Sequence, residues 1–226
     1  MFLKTMNIMT NQTILLLLIG CTESTPMIQA HRGSAGYWPE NSKTAIINSL
    51  QAGYPSIEFD VVVTKDSIPI IHHDPWISPE LCETIDQKPV PEDTLIFEMN
   101  WEDISTSYLC GGIANPKFPD AQQIAEPILS LKELFEITSD YPEIILNLDV
   151  KYIPDYSLPP ETMANAIVEA IEDVAPPNPL LANCNRSEFL EEFHKLSDIP
   201  TSLEWPIFTE FLDGTSDVQT ALKHEF

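Results

Sequence analysis

Two carboxylates, Glu58 and Asp60, are set into an apolar, β-branched run, Ile57 to Val63. On a strand, residues i and i+2 project from one face, so the two acids point the same way. Like charges side by side on a buried strand repel unless a cation or a proton lies between them. Thr64 to Ser67 reads as a tight turn, and a second apolar strand, 68–71, runs into His72-His73-Asp74-Pro75. Further along, Asn147, Asp149 and Lys151 share one face of another buried run, 144–151. Glu58, Asp60 and Asp149 on neighbouring strands would make a hard-oxygen site suited to one divalent cation, Mg²⁺ or Ca²⁺. His31 and His73 are candidates for a general acid and a general base, because an imidazole of pKa about 6.5 exchanges protons near neutrality. Arg32 and Lys151 would give positive charge to a phosphate, Arg32 through a planar fork. The plainer readings are weaker. A lone histidine is more often a satisfied structural group, and one of the paired acids could bond only to backbone or to a lysine. Two histidines at strand ends beside a carboxylate pair favour chemistry. His72 has the opposite strand parity to His73 and is expected to face away. His194 and His224 sit in helical context and are read as structural.

The elements that must position these groups follow from the pattern. Residues 27–30 form a short strand ending on His31-Arg32-Gly33, and Asn41 is a good N-cap for a helix over 42–52 that Gly53 ends. Strands at 57–63 and 68–71 follow. Residues 75–127 are rich in Pro, Asp and Glu and read as a long excursion over one end of the fold, with a short helix near 101–108. Ser130 and Glu133 form a capping box opening a helix to about residue 138. A buried strand at 144–151, a helix at 161–174, a strand at 180–183, a helix at 187–196 and a sixth strand at 201–205 complete the reading, with the start of a helix at 218–226. Strands alternating with helices argue for a parallel sheet covered by helices. Polar groups fall at the C-terminal ends of strands one to four, where a (β/α)8 barrel builds its active site. A doubly wound sheet would carry a Gly-rich phosphate loop after its first strand, and none is present.

With 226 residues, 43% of them hydrophobic, the chain has room for one domain and a sizeable core. Its formal net charge of −24, from 35 acidic and 11 basic residues, repels nucleic acid and anionic membrane surfaces. Nucleic acid is therefore set aside as a partner. The apolar run Ile14–Ile19 is too short to span a bilayer and suits a secretory leader over residues 1–21. Leu18-Ile19-Gly20-Cys21 looks like a lipoprotein cleavage box, which makes Cys21 a candidate lipid anchor and the chain an exported, periplasmic or membrane-anchored lipoprotein; a cytosolic start with a chance apolar run is the alternative. No CxxC or Cys/His cluster points to zinc. In an exported chain, Cys82 and Cys110 would pair within the excursion; two reduced thiols are the alternative. The remaining stretch, 22–226, reads as one domain. No oligomeric state is assigned.

Three blocks, AHRGSAGYWPENS, IEFDVVVTKDSIPIIHHDP and LNLDVK, resemble the glycerophosphodiester phosphodiesterases from about Ile28 to Trp205. The resemblance implies a TIM-barrel hydrolase acting on small-molecule glycerophosphodiesters and releasing glycerol 3-phosphate and an alcohol. It implies a divalent cation held by Glu58, Asp60 and Asp149, with His31 and His73 as the acid–base pair. Arg32 and Lys151 would hold the phosphate, and Glu40 would be a supporting residue beside the metal and Arg32. The chain departs from the family pattern in three ways: Ser42 replaces a usual Thr, Asp149 stands where Glu is usual, and about six strands are present where a barrel needs eight. The barrel is therefore expected to be incomplete. Two other readings remain: a sphingomyelinase D-like phospholipase using the same site, and a non-catalytic truncated barrel.

Overall fold

A computed structural model of the chain describes residues 27–92 and 94–203. The expected leader with Cys21, the end of the sixth strand, His224 and the C-terminal helix lie outside these residues. The main sheet contains β1 (Gln29–Ala30), β2 (Ser56–Val63), β3 (Pro69–Ile71), β7 (Ile145–Val150), β8 (Leu180–Cys184) and β9 (Thr201–Leu203). Its order is β1-β2-β7-β8-β9, all parallel, and among the described residues β1 and β9 form open edges. All eight residues of β2 are buried, as expected of a strand covered on both faces.

β3 is not a further parallel strand of the barrel. It pairs antiparallel with the far end of β2, Val61 opposite Ile71 and Val63 opposite Pro69. The cause is local: Ser67 adopts φ 62° and its N–H donates to the Thr64 carbonyl at 3.0 Å, closing a hairpin with no room for a crossover. Of the six strands read from the sequence, five are therefore parallel barrel strands.

Helices cover the sheet. They are α1 (Lys43–Ala52), α3 (Leu131–Thr138), α4 (Pro160–Val174) and α5 (Ser187–His194), with α2 (Trp101–Ser107) in the excursion. Helix α1 buries Ala45, Ile46, Ser49 and Leu50 and ends at Gly53 with φ 73°. Its N-cap is Ser42, whose hydroxyl accepts from the Ala45 N–H at 3.0 Å, not Asn41 as the sequence suggests. Helix α3 opens on the expected capping box, the Glu133 carboxylate accepting from the Ser130 N–H at 2.8 Å. Phe59, Leu146, Leu148, Phe135, Ile167, Phe189 and Phe193 fill the core between sheet and helices.

The excursion is more ordered than its composition suggests. It holds a three-stranded antiparallel sheet of β4 (Cys82–Thr84), β5 (Tyr108–Cys110) and β6 (Glu126–Pro127). Cys82 faces Cys110 across the β4/β5 ladder and the two form a disulfide. Val62 and Ile70, cross-strand partners on the face of the β2–β3 hairpin that also carries Glu58 and Asp60, join Ile77, Val90, Ile96 and Ile104 in a second core, while Val61, Val63 and Ile71 serve the first. The Glu126 carboxylate accepts from the Thr44 N–H at 3.0 Å and from its hydroxyl at 2.7 Å, tying the excursion to the start of α1.

Candidate active site

The parallel register of β2 and β7 sets Glu58 beside Asn147 and Asp60 beside Asp149. Glu58, Asp60 and Asp149 are all buried, and each offers a carboxylate oxygen within 4.8 Å of the others. The i, i+2 spacing on β2 does place both its acids on one face, and β7 supplies the third.

The turn after β1 brings in Arg32. This residue has φ 50° and ψ 37°, and its backbone N–H donates to Glu58 Oε2 at 2.7 Å. Its Nη1 donates to Glu40 Oε1 at 2.8 Å, and its Nε lies 3.3 Å from Asp60 Oδ2. Gly33 follows with φ 68°, and a Cβ there would come within 3.0 Å of Ile46 Cδ1, so the turn admits little else. Lys151, just past β7, lies 3.0 Å from Asp60 Oδ1 and also pairs with Asp149. Glu40 is thus beside Arg32.

Burial, then the neighbouring Asp60 charge, push the Glu58 carboxyl up to about 8. Burial also opposes the Asp60 charge, but Lys151 and Arg32 outweigh it and hold that carboxyl below the usual range. The Lys151 ammonium is likewise penalised by burial and yet raised, because Asp60 and Asp149 face it.

The donor set fits a hard divalent cation. Three buried carboxylates converge, and with Glu40 they make four negative groups against the two positive groups Arg32 and Lys151. Once a cation displaces the Glu58 proton, the excess of two negative charges is the charge that such an ion would balance.

His31 follows β1 directly and is exposed, its ring edge-on to Phe118 of the excursion with centroids 6.4 Å apart. Partial burial, then the Arg32 charge, lower its pKa. His73 arrives by a different route from the one the strand count implied. The antiparallel β3 returns the chain to the level of Asp60, whose carbonyl accepts from the His72 N–H at 3.1 Å. His73 Nδ1 then lies 2.7 Å from Asp74 Oδ1. His72 is buried, its Nε2 3.0 Å from the Trp76 carbonyl oxygen, and burial lowers its pKa, but it lines one cavity with His73, Glu40 and Asn41 instead of facing away.

Three contacts of the site escape a reading of the sequence. Asn41 bonds to Asp60, its Nδ2 donating to Oδ2 at 2.7 Å and its Oδ1 accepting from the Asp60 N–H at 3.1 Å. Its φ of 58°, an αL conformation that asparagine tolerates, is the clue that it is not a cap. Asn115, from the excursion, donates to Glu40 Oε2 at 2.6 Å, and nothing in its sequence context announces that. Asp74 is visible in the His-Asp block, but its bond to His73 is not.

Residues 31–214 match the glycerophosphoryl diester phosphodiesterase family. The chain belongs to this family. A glycerophosphodiester phosphodiesterase of Bacillus altitudinis is 28% identical over 124 residues, 55% of this chain and 44% of that protein. One from Caldanaerobacter subterraneus subsp. tengcongensis is 30% identical over 125 residues, 55% of this chain and 45% of that protein. The match thus spans less than half the length of these curated relatives. A solved structure from Silicibacter pomeroyi superimposes with a TM-score of 0.78 at 22% identity, covering 90% of this chain and 73% of that one. An Oleispira antarctica phosphodiesterase solved with its product sn-glycerol-3-phosphate is 25% identical, with a TM-score of 0.63, covering 88% of this chain and 80% of that one. The fold of this glycerophosphoryl diester phosphodiesterase family member is of the (β/α)8-barrel type, with its sheet open among the described residues.

Proposed function

We propose that this chain hydrolyses glycerophosphodiesters to sn-glycerol 3-phosphate and an alcohol, with one divalent cation, Mg²⁺ or Ca²⁺, held by Glu58, Asp60 and Asp149. The observation that carries the reading is the convergence of those three buried carboxylates, with the residues next to the two histidines, Arg32 and His72, donating their backbone N–H groups to Glu58 and Asp60. Family membership and the product-bound Oleispira relative support the substrate class.

The cation would supply neutralisation of phosphate charge and orientation of the attacking hydroxyl. Arg32 and Lys151 bring N–H donors and positive charge to the same place and hold the phosphate. Glu40, gripping Arg32 Nη1 and itself gripped by Asn115, fixes the guanidinium plane. His31 and His73 share the proton work: one accepts the proton of the adjacent glycerol hydroxyl as it attacks phosphorus, the other protonates the departing alcohol, and water then opens the cyclic phosphate to give sn-glycerol 3-phosphate. The contact of Asp74 with His73 Nδ1 orients that ring and leaves Nε2 for transfer.

The test is release of sn-glycerol 3-phosphate from a glycerophosphodiester, expected with Mg²⁺ or Ca²⁺ and abolished by chelation and by His31→Ala or His73→Ala. No release by the native chain with either cation overturns the reading.

We also infer that residues 1–21 direct export and that Cys21 carries a lipid. The Cys82–Cys110 disulfide supports an oxidising compartment. Palmitate label that disappears in Cys21→Ala is the expected result; an unlabelled native chain rejects it.

A further inference from the structure

A cleft of about 320 Å³, not used by the chemistry above, is lined by Trp76, Pro79, Glu92, Leu95 and Tyr156. That volume is at the lower end of small-molecule pockets, roughly 300–1,000 Å³. Its aromatic walls come from the loops that follow two residues of the site. Trp76 follows closely on His73 in the loop after β3, and Tyr156 follows on Lys151 in the loop after β7. The two rings meet edge to face, with centroids 6.4 Å apart and planes at 77°. Both remain open to water, Trp76 37% and Tyr156 46% exposed.

The backbones behind these rings are held. The Ile77 N–H donates to Thr94 and the Ile96 N–H to Pro75, both at 2.9 Å, so Trp76 is clamped against Leu95. The Tyr156 N–H donates to the Ile153 carbonyl at 3.0 Å, and the Ile153 N–H donates to the Ser157 hydroxyl at 3.1 Å. Two exposed aromatic rings on tethered backbone and an exposed carboxylate, Glu92, make a surface that an apolar cation matches. The ring faces carry the negative end of the aromatic quadrupole, and Glu92 adds formal charge. A neutral polyol can donate hydroxyls to Glu92 but lacks the charge attraction to it and to the ring faces, and an anionic head is repelled by both.

We propose that this cleft receives the quaternary ammonium head of a choline ester and makes the site selective for diesters whose alcohol is cationic. The inference rests on the diesterase reading above. The glycerol phosphate end has its donors in Arg32 and Lys151, so the alcohol is the part of the substrate left to reach Trp76 and Tyr156.

Two measurements test it. The first is kcat/KM for glycerophosphocholine relative to glycerophosphoglycerol, in the full chain and in Tyr156→Leu and Glu92→Gln. Tyr156→Leu keeps the apolar bulk and removes the π face, and Glu92→Gln removes only charge. Each is expected to lower the ratio roughly 2- to 30-fold, the range set by exposed to desolvated cation–π contacts. An unchanged ratio in both variants overturns the inference. The second is saturation transfer from the protein to the methyl protons of choline chloride, read by NMR. It is expected in the native chain and weakened in Tyr156→Leu; its absence from the native chain overturns the inference. If no diester is cleaved, the diesterase reading fails by itself, and the choline measurement alone decides the cleft.

Discussion

Asn41 grips Asp60 at both ends: its amide N–H donates to the carboxylate at 2.7 Å, and its carbonyl accepts from the backbone N–H at 3.1 Å. The pair ties the turn before α1 to the centre of β2, where the three carboxylates converge. Asn41→Ala removes both bonds and leaves a β-carbon at φ 58°. It is expected to cost about 1–3 kcal/mol of stability and about 10- to 100-fold in cation affinity, the usual effect of losing a partner that orients a ligand. Thermal unfolding with and without Mg²⁺ measures both. A variant whose cation-induced shift in Tm equals that of the native chain would show that Asn41 does not orient Asp60.

Asp149 supplies its carboxylate on a shorter arm than the family's usual glutamate. Asp149→Asn removes a charge from the converging set and is expected to abolish the rise in Tm with Mg²⁺ or Ca²⁺. Asp149→Glu keeps the charge and is expected to retain the rise. Calorimetric titration of each cation distinguishes them, and equal binding by Asp149→Asn and the native chain would remove Asp149 from the ligand set.

Gly33 sits under the Arg32 turn, pressed onto Ile46 and Ala45. Gly33→Ala combines a positive φ with a Cβ contact of 3.0 Å, so a loss of about 1–3 kcal/mol is expected. Chemical denaturation reads it, and a stability within error of the native chain would show that the turn relaxes freely.

Cys82 and Cys110 close a loop of 28 residues in sequence. Chain entropy puts the stabilisation at about 3.5 kcal/mol. Reduction is expected to lower the denaturation midpoint and, by loosening β4 and β5, to weaken the Asn115 hold on Glu40. Non-reducing peptide mass mapping checks the bond, and peptides that migrate separately without reductant refute it.

Cys184 is buried, and burial pushes its thiol up to about 12 from an ordinary value of 9.0, only partly offset by the Arg186 and Tyr152 N–H groups. The folded state therefore keeps a proton that the unfolded state loses above pH 9.0. The stability this contributes is complete below that pH and falls as the pH climbs toward about 12. Two results are expected: no alkylation of Cys184 in the folded chain at pH 8, and a shallower alkaline loss of stability in Cys184→Ala. Prompt labelling of the native thiol contradicts both.

Much of the site was legible because it is local. The i, i+2 spacing of Glu58 and Asp60 fixes their common face, and the apolar context of β2 and β7 fixes their burial. Ser130 and Glu133 announced their capping box, and the long helices followed from their amphipathic spacing. Less local features were misread or invisible. Three-residue strands such as β4 and β5 have no periodicity to detect, so the excursion looked irregular. Ser42 and Asn41 are both good caps by type, and only the contact with Asp60 shows which one is engaged elsewhere. Asn115 meets Glu40 across 75 residues, with nothing in its neighbourhood to signal the meeting.

The sequence alone determined which residues carry charge, which runs are buried and which side chains share a strand face, because these follow from residue type and the two-residue period of a strand. Only the tertiary structure decided that β7 lies beside β2 in the register setting Asp60 against Asp149. It also decided that β3 turns back to deliver His73, and that Arg32 adopts φ 50° so that its N–H reaches Glu58. These relationships depend on pairing between distant segments, whose register is chosen by the whole core and not by the residues that use it.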